Sequence, residues 1–365
     1  MVAPGNEARE GPLDQVGRPS RVRRRQLRAR RRRALLLAVT LVVAAGAVVL
    51  ARGVSHARRP AEAAAAQGAT SPAPRPATTT TLPPPYQPPP VTPLLSPALA
   101  GEGQWVPADT WDQGPASVMT TTFRPDPSAP NVVAYAAWIR TTTTQLALYP
   151  GYEGPGPSAL DRGPEMVPQS AWPNLLAAFN SGFYEADAAA GFFVHGTLYF
   201  PMVNGMATVV ARTDGQVDIV DWEGGPTPGP DVVLARQNLP LLVDGGAVTP
   251  AASAPQWGPT LGGVPAVWRS GLGIDAQGNL VYVAAPAQTA LSLARVLVDV
   301  GAVRGMELDI NPEWPIFTTY GGPGAVSPSL FVPNPNQVPN RFLYSSTKDF
   351  FAVFVRQPGV TEQPW

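Results

Sequence analysis

Apolar and polar positions along the chain fall into distinct regimes, and each predicts a different kind of element. Ala34–Ala51, ALLLAVTLVVAAGAVVLA, is eighteen residues without a charge. At about 1.5 Å per helical residue it spans roughly 27 Å, close to the hydrocarbon thickness of a bilayer. Residues 61–97 are low in complexity and rich in Pro, Ala and Thr, which predicts an extended, disordered linker with too little apolar surface to fold. From about Ala98, apolar runs of strand length alternate with turn dipeptides. GFFVHGTLYF, MATVVAR and QVDIVDW are punctuated by His195-Gly196, Asn204-Gly205 and Asp214-Gly215, and residues that tolerate positive φ between apolar runs predict a hairpin meander over 191–222. LVYVAA (280–285) reads as a strand, followed by a helix with Leu293, Val296, Leu297 and Val300 on one face. Thr289 or Ser292 can cap that helix and Gly301 can end it. MELDI (306–310) reads as the next strand and FFAVFVR (350–356) as a central one. Strand, helix and strand in sequence predict a crossover with locally parallel pairing. The fold class predicted is α+β, a mixed sheet with a hairpin meander and a strand–helix–strand crossover.

Charge sharpens this division. The formal net charge of zero averages two opposite regions. Residues 1–59 carry 14 arginines against three acids, and the remainder carries 12 basic against 23 acidic residues. Nine of those arginines lie in residues 21–33, directly before the apolar span. By the positive-inside rule this puts the N-terminus in the cytoplasm and the rest outside. The expected organisation is a basic cytoplasmic tail (1–33), a single transmembrane signal anchor (34–51), a linker (52–97) and a globular domain (98–365) on the extracellular side of the cell membrane. A cleaved signal peptide is the other reading of the same segment. An acidic domain repels phosphate backbones, so nucleic acid is not an expected partner. The absence of cysteine excludes disulfides, thiolate chemistry and Cys-ligated metals, and two histidines leave no room for a His-rich site. No cofactor is expected; the only metal compatible with this composition is a hard Ca or Mg ion on oxygen ligands.

Polar groups embedded in apolar runs are the informative positions, because burying them is costly unless they are paired or used. Four clusters qualify: AAFNSGFYEAD with Asn180 and Gly182, LPLLVDGG with Asp244 and Gly245, VWRSGLGID with Arg269 and Ser270, and GMELDINPEW with Glu307, Asp309 and Asn311. Period-two alternation puts Glu307 and Asp309 on one strand face, and two carboxylates at one site suit acid–base chemistry at a glycosidic centre. Each position also has a structural reading: Asn180 and Asp244 as turn residues beside glycine, Arg269 as the partner of a structural acid. His195 reads as a hairpin-turn residue, and neither a G-x-S-x-G elbow nor a nucleotide-binding glycine fingerprint is present.

Taken in order, these clusters resemble the phosphodiester glycosidase family, the domain type of N-acetylglucosamine-1-phosphodiester alpha-N-acetylglucosaminidase. AFNSGFY resembles its Asn-Gly-Gly-Tyr/Phe-Phe motif, LLVDGG its Leu-Val-x-Asp-Gly segment, Arg269 to Ile274 its Arg-Thr-x-x-Gly-Ile/Val segment, and Leu308-Asp309 its Leu-Asp-Gly-Gly motif. Ile310 and Asn311 stand where the family has two glycines, and the phrase AVRGMELDINPEW resembles an actinobacterial-type branch. The resemblance implies a hydrolase that cleaves a sugar-1-phosphodiester at the anomeric carbon. Asp309 with Glu307 or Asp244 would be catalytic, and Arg269 would hold the leaving phosphate. Asn180, Gly182, Ser270, Gly245 and Asn311 would contact a carbohydrate or sugar-phosphate substrate. The alternative on the same scaffold is a non-catalytic module that binds cell-envelope glycan.

Overall fold

The computed structural model describes residues 85–109, 114–158, 160, 162–254, 264–322, 324 and 327–357. The chain divides into residues 1–80 and 81–365, so everything below concerns the second unit. The predicted basic tail and membrane span, and most of the predicted linker, lie outside the described residues. Among the described residues no helix is long and apolar enough to cross a membrane. The last part of the predicted linker belongs to the fold: Val91 is buried and hydrogen-bonds to Gly103, and the Tyr86 carbonyl accepts from Arg140.

Three sheets surround a common core. The largest runs in the order β1 (Val106–Pro107), β2 (Val118–Phe123), β3 (Ala134–Ile139), β14 (Leu280–Gln288), β13 (Val267–Asp275), β15 (Ala302–Glu307), β11 (Val243–Asp244), β12 (Ala247–Val248). A second is β7 (Thr197–Phe200), β6 (Phe192–Val194), β10 (Val232–Gln237), β8 (Ala207–Arg212), β9 (Val217–Asp221). The third is β17 (Ser329–Leu330), β16 (Phe317–Thr319), β5 (Leu175–Asn180), β18 (Phe350–Val355), β4 (Thr144–Tyr149). Leu272, Ile274 and Met306 of the first sheet meet Val209 and Leu234 of the second and Phe179, Phe317 and Phe351 of the third in one buried cluster.

The opposite face of the large sheet is covered by a helix, Ala290–Asp299. Its start is closed by a reciprocal cap, Ser292 N–H to the Thr289 hydroxyl and Thr289 N–H to the Ser292 hydroxyl. Gly301 follows with φ +90°, so both ends fall where the local signals put them. Leu293 and Leu297 are fully buried, each stabilising the fold by roughly 1.5–3 kcal/mol relative to exposure. Alternation in β13 explains its glycines: Leu272 and Ile274 face the common core, while Gly271 and Gly273 lie under the helix. A Cβ at Gly273 would come within 2.6 Å of the Ala302 Cβ.

Two sequence expectations are corrected. The sheet is not mixed: every strand pairing among the described residues is antiparallel. Strands β14 and β15 do run in the same direction, but β13 lies between them and pairs antiparallel with both. The meander is also interrupted. Hairpins β6–β7 and β8–β9 form as expected, the first turning through His195 and Gly196 at φ +50° and +73°, but β10 inserts between β6 and β8. By contrast β18 is central, flanked by β5 and β4.

Gly273→Ala is expected to lower stability by about 1–3 kcal/mol, the cost of overpacking a rigid contact. A urea melt of wild type and variant reads this as a lower midpoint.

Candidate active site

Several strands end at one edge of the molecule, and each delivers a polar side chain there. Asn180 closes β5, and its register partner Phe350 opens β18 just after Lys348 and Asp349. Ser270 lies near the start of β13, while Leu308 and Asp309 continue β15 past its last paired residue, Glu307. The predicted strand 306–310 is thus the end of a strand over Ala302–Glu307, and its last residues peel away toward the third sheet.

Asn180 is the hub. Its Oδ1 accepts from the Tyr282 hydroxyl at 2.9 Å and from Ile316 N–H at 3.1 Å. Its Nδ2 donates to the Ser270 Oγ at 2.9 Å and to the Ser181 carbonyl at 3.0 Å. Ser270 then fixes Asp309: its N–H donates to the Asp309 carbonyl at 2.8 Å and its Oγ accepts from Asp309 N–H at 3.1 Å. Asp309 Oδ1 accepts from Asn311 N–H at 2.9 Å, and Oδ2 forms an ion pair with the Lys348 ammonium.

Three buried ion pairs therefore converge here. Asp309 pairs with Lys348, Glu307 with Arg269 at 2.5 Å, and Asp349 with Arg236 at 2.8 Å. Each acid has its own cation. Burial raises the Glu307 carboxyl to about 7 against the opposing pull of Arg269, and repulsion from Asp309 adds to the rise. Burial also raises the Asp309 carboxyl, with Lys348 pulling it down. The Lys348 ammonium lies 4.6 Å from the Tyr184 ring centre and 5.4 Å from that of Trp314. Arg341 stacks over the Trp314 ring at 5.0 Å and forms no ion pair among the described residues. A narrow cleft lined by Asn180, Trp314, Arg341, Ser346, Lys348 and Asp349 opens onto this cluster.

The structure brings together only some of the predicted site residues. Asn180, Ser270, Asp309 and Asn311 come together. Glu307 and Arg269 lie beside them but turn to the helix side: Glu307 pairs in register with Gly271, whose missing Cβ would meet Leu297. Arg269 lies within β13. Its Nε donates to the Gln288 carbonyl and its remaining terminal nitrogen to the Pro265 carbonyl, so each of its three nitrogens is already held by the protein. Gly182 serves the protein interior, since a Cβ there would crowd the Asn238 amide at 3.2 Å. That amide holds the Glu307 and Leu308 carbonyls, both at 2.8 Å. Asp244 and Gly245 are elsewhere. Gly246 N–H binds the Val303 carbonyl, six residues back along the chain from Asp309, or roughly 20 Å of extended strand. Sequence reasoning missed Lys348, Trp314, Tyr184, Arg341, Arg236, Asn238 and Asp349. Lys348 had a readable signal as the sole lysine, placed with Asp349 directly ahead of an apolar run. Among the described residues no group of three or more His, Asp or Glu side chains is placed to hold a metal.

No protein-family model matches the chain. No curated protein matches it. Solved structures with a similar chain trace include the zebrafish N-acetylglucosamine-1-phosphodiester alpha-N-acetylglucosaminidase catalytic domain auto-inhibited by its pro-peptide, at 16% identity, 70% of this chain, 88% of that one and a TM-score of 0.46. A hypothetical protein from Synechocystis matches at 13% identity over 62% of this chain and 59% of that one, with a TM-score of 0.36. A putative exported protein from Burkholderia pseudomallei matches at 13% identity, over 62% and 74%, with a TM-score of 0.33.

The raised Glu307 carboxyl sets the sign of a pH effect. An acid that holds its proton more tightly when folded stabilises the fold below its ordinary value of 4.5, and that stability is lost as pH rises toward about 7. Urea midpoints taken from pH 4.5 to 7.5 should therefore fall less steeply with pH in Glu307→Gln than in wild type. Equal slopes would place the proton elsewhere.

Proposed function

We propose that the domain hydrolyses a sugar-1-phosphodiester at its anomeric carbon. The observation that carries this reading is a buried carboxylate, Asp309, held against the ammonium of Lys348 behind a Tyr184–Trp314 wall. Aromatic faces receive the apolar face of a sugar ring, and cations receive its phosphate. On binding, the phosphate takes Lys348 from Asp309, with Arg341 as the second cation, and the freed carboxylate oxygen faces the anomeric carbon. Water attacks that carbon, its proton passes to Asp309, and the bond to the phosphate oxygen breaks. The phosphate leaves as an anion already balanced by Lys348 and Arg341, so no proton donor is needed on that side. Asn311 N–H and Ser270 hold Asp309 in place, and Glu307 acts only through Arg269. The phosphate role expected of Arg269 passes to Lys348 and Arg341, and Asp244 takes no part in the chemistry. In the full chain Ala34–Ala51 would anchor the protein with its N-terminus in the cytoplasm and this domain on the outer face, acting on envelope glycans.

One observation favours a second reading, a glycan-binding module without turnover. Both carboxylate oxygens of Asp309 are already engaged, and the residue is 2% exposed.

The detergent-solubilised full chain should release free sugar from an α-GlcNAc-1-phosphodiester. Asp309→Asn should reduce kcat about 10²–10⁴-fold, the usual contribution of a general base, while keeping a folded circular dichroism spectrum at a lower urea midpoint, because Lys348 is left unpaired. Trp314→Ala should raise KM more than it lowers kcat. Tight binding without turnover by wild type, across a panel of sugar phosphodiesters, would select the second reading.

A further inference from the structure

A second cleft of the domain has no part in the chemistry proposed above. It occupies about 710 Å³ at the far end of β13 and β15, where four turns meet. They carry Thr141 and Thr142, Gly215 and Gln216, Asp244 and Gly245, and Ala276 to Gly278. A volume of this size lies within the range of small-molecule sites.

The walls are fixed by hydrogen bonds, so the cleft exists before any ligand arrives. Arg356 donates to the carbonyls of Thr141, Thr144 and Gly215 and so ties two of the turns together. Gly215 is required at this contact: its φ is +82°, and a Cβ would lie 2.0 Å from the Arg356 guanidinium. The Thr141 hydroxyl donates to the Gly278 carbonyl at 2.7 Å, which joins a third turn. Gly246 N–H donates to Val303, which attaches the fourth to β15.

The charged groups of the cleft are largely committed. Arg304 pairs with Asp218, Arg356 serves the three carbonyls, and Asp275 accepts from Trp138, Gln277 N–H and Asn279. Asp244 is exposed and forms no ion pair among the described residues. Three aspartates against two arginines repel an anion. The lining has no aromatic ring, which disfavours a nucleobase or a flat apolar ligand. Exposed groups that both donate and accept remain, the Thr142 hydroxyl and the Gln216 and Gln277 amides, together with the Asp244 carboxylate, which accepts. Gly245 and Gly246 have no atom within 4 Å of where a Cβ would sit, so a ligand can lie flat on that turn.

From this chemistry we infer that the cleft binds a neutral polyhydroxylated ligand, a glycan chain, whose hydroxyls donate to Asp244 and exchange hydrogen bonds with Gln216, Gln277 and Thr142. The site is separate from Asp309 and independent of the reaction assigned to it. It holds a glycan by hydroxyls, where the Asp309 cleft selects a phosphate.

Titration of the full chain with maltotetraose, cellotetraose, chitotetraose and mannotetraose, followed by saturation-transfer NMR, tests this. At least one of the four should bind. Asp244→Ala and Gln277→Ala, both at exposed turn positions, should each weaken that binding about fivefold, the scale of one or two net hydrogen bonds. Trp314→Ala should leave it unchanged. The inference is overturned if none of the four binds, if binding survives Asp244→Ala and is lost in Trp314→Ala, or if inorganic phosphate displaces the sugar.

Discussion

The four hydrogen bonds of Asn180 hold the two halves of the active edge together. A primary amide can donate twice and accept twice, and this buried one does so toward three other chain segments and its own neighbour. Tyr282 belongs to the large sheet, Ser270 to the next strand of that sheet, Ser181 to the exit of β5, and Ile316 to the approach to β16. Without that amide the phenol, the serine and the Ile316 N–H would be buried with unmet hydrogen-bonding capacity, which costs more than the bonds themselves contribute. Because Ser270 in turn fixes the backbone of Asp309, the position of the proposed catalytic carboxylate depends on an amide two steps away.

Electrostatics explains why so much charge can be buried at this edge. Six titratable groups are placed as three contacting pairs, and each pair makes further hydrogen bonds to backbone. Removing one member of a buried pair is far more damaging than never having had the pair, so these positions are mutually dependent. Two of the pairs, Arg269–Glu307 and Arg236–Asp349, are locked by main-chain carbonyls and serve as framework. The third, Lys348–Asp309, adjoins the cleft and is flanked by aromatic rings, and it is the pair into which the proposed substrate's phosphate would exchange. In an acidic domain with one lysine, placing that lysine here concentrates the scarce positive charge where a phosphate would need it.

The local part of this architecture was legible in the sequence. Thr289 and Gly301 bound the helix because caps are chemistry of adjacent residues, and His195-Gly196 turns because both adopt positive φ. What could not be read was pairing across distance. The run VVLARQ carries no hairpin signal to its neighbours in sequence, yet β10 fills the middle of its sheet with partners on both edges. The same limit applies to the site. Asn180, Ser270 and Asp309 stood out as polar residues in apolar runs, and the fold unites them. Asp244 stood out by the same rule, but the rule reports burial cost and turn chemistry rather than location, and its strand meets β15 at the wrong end. Arg269 and Glu307 were legible as functional charges, but the structure makes them each other's partner.

The central claim is that a bond to the anomeric carbon breaks, rather than a bond to phosphorus. Running the reaction of the full chain on an α-GlcNAc-1-phosphodiester in ¹⁸O-labelled water tests it directly, with mass spectrometry of both products. Attack at carbon assisted by Asp309 puts the label in the released sugar and none in the phosphate. Label in the phosphate would mean cleavage at phosphorus and would contradict the account.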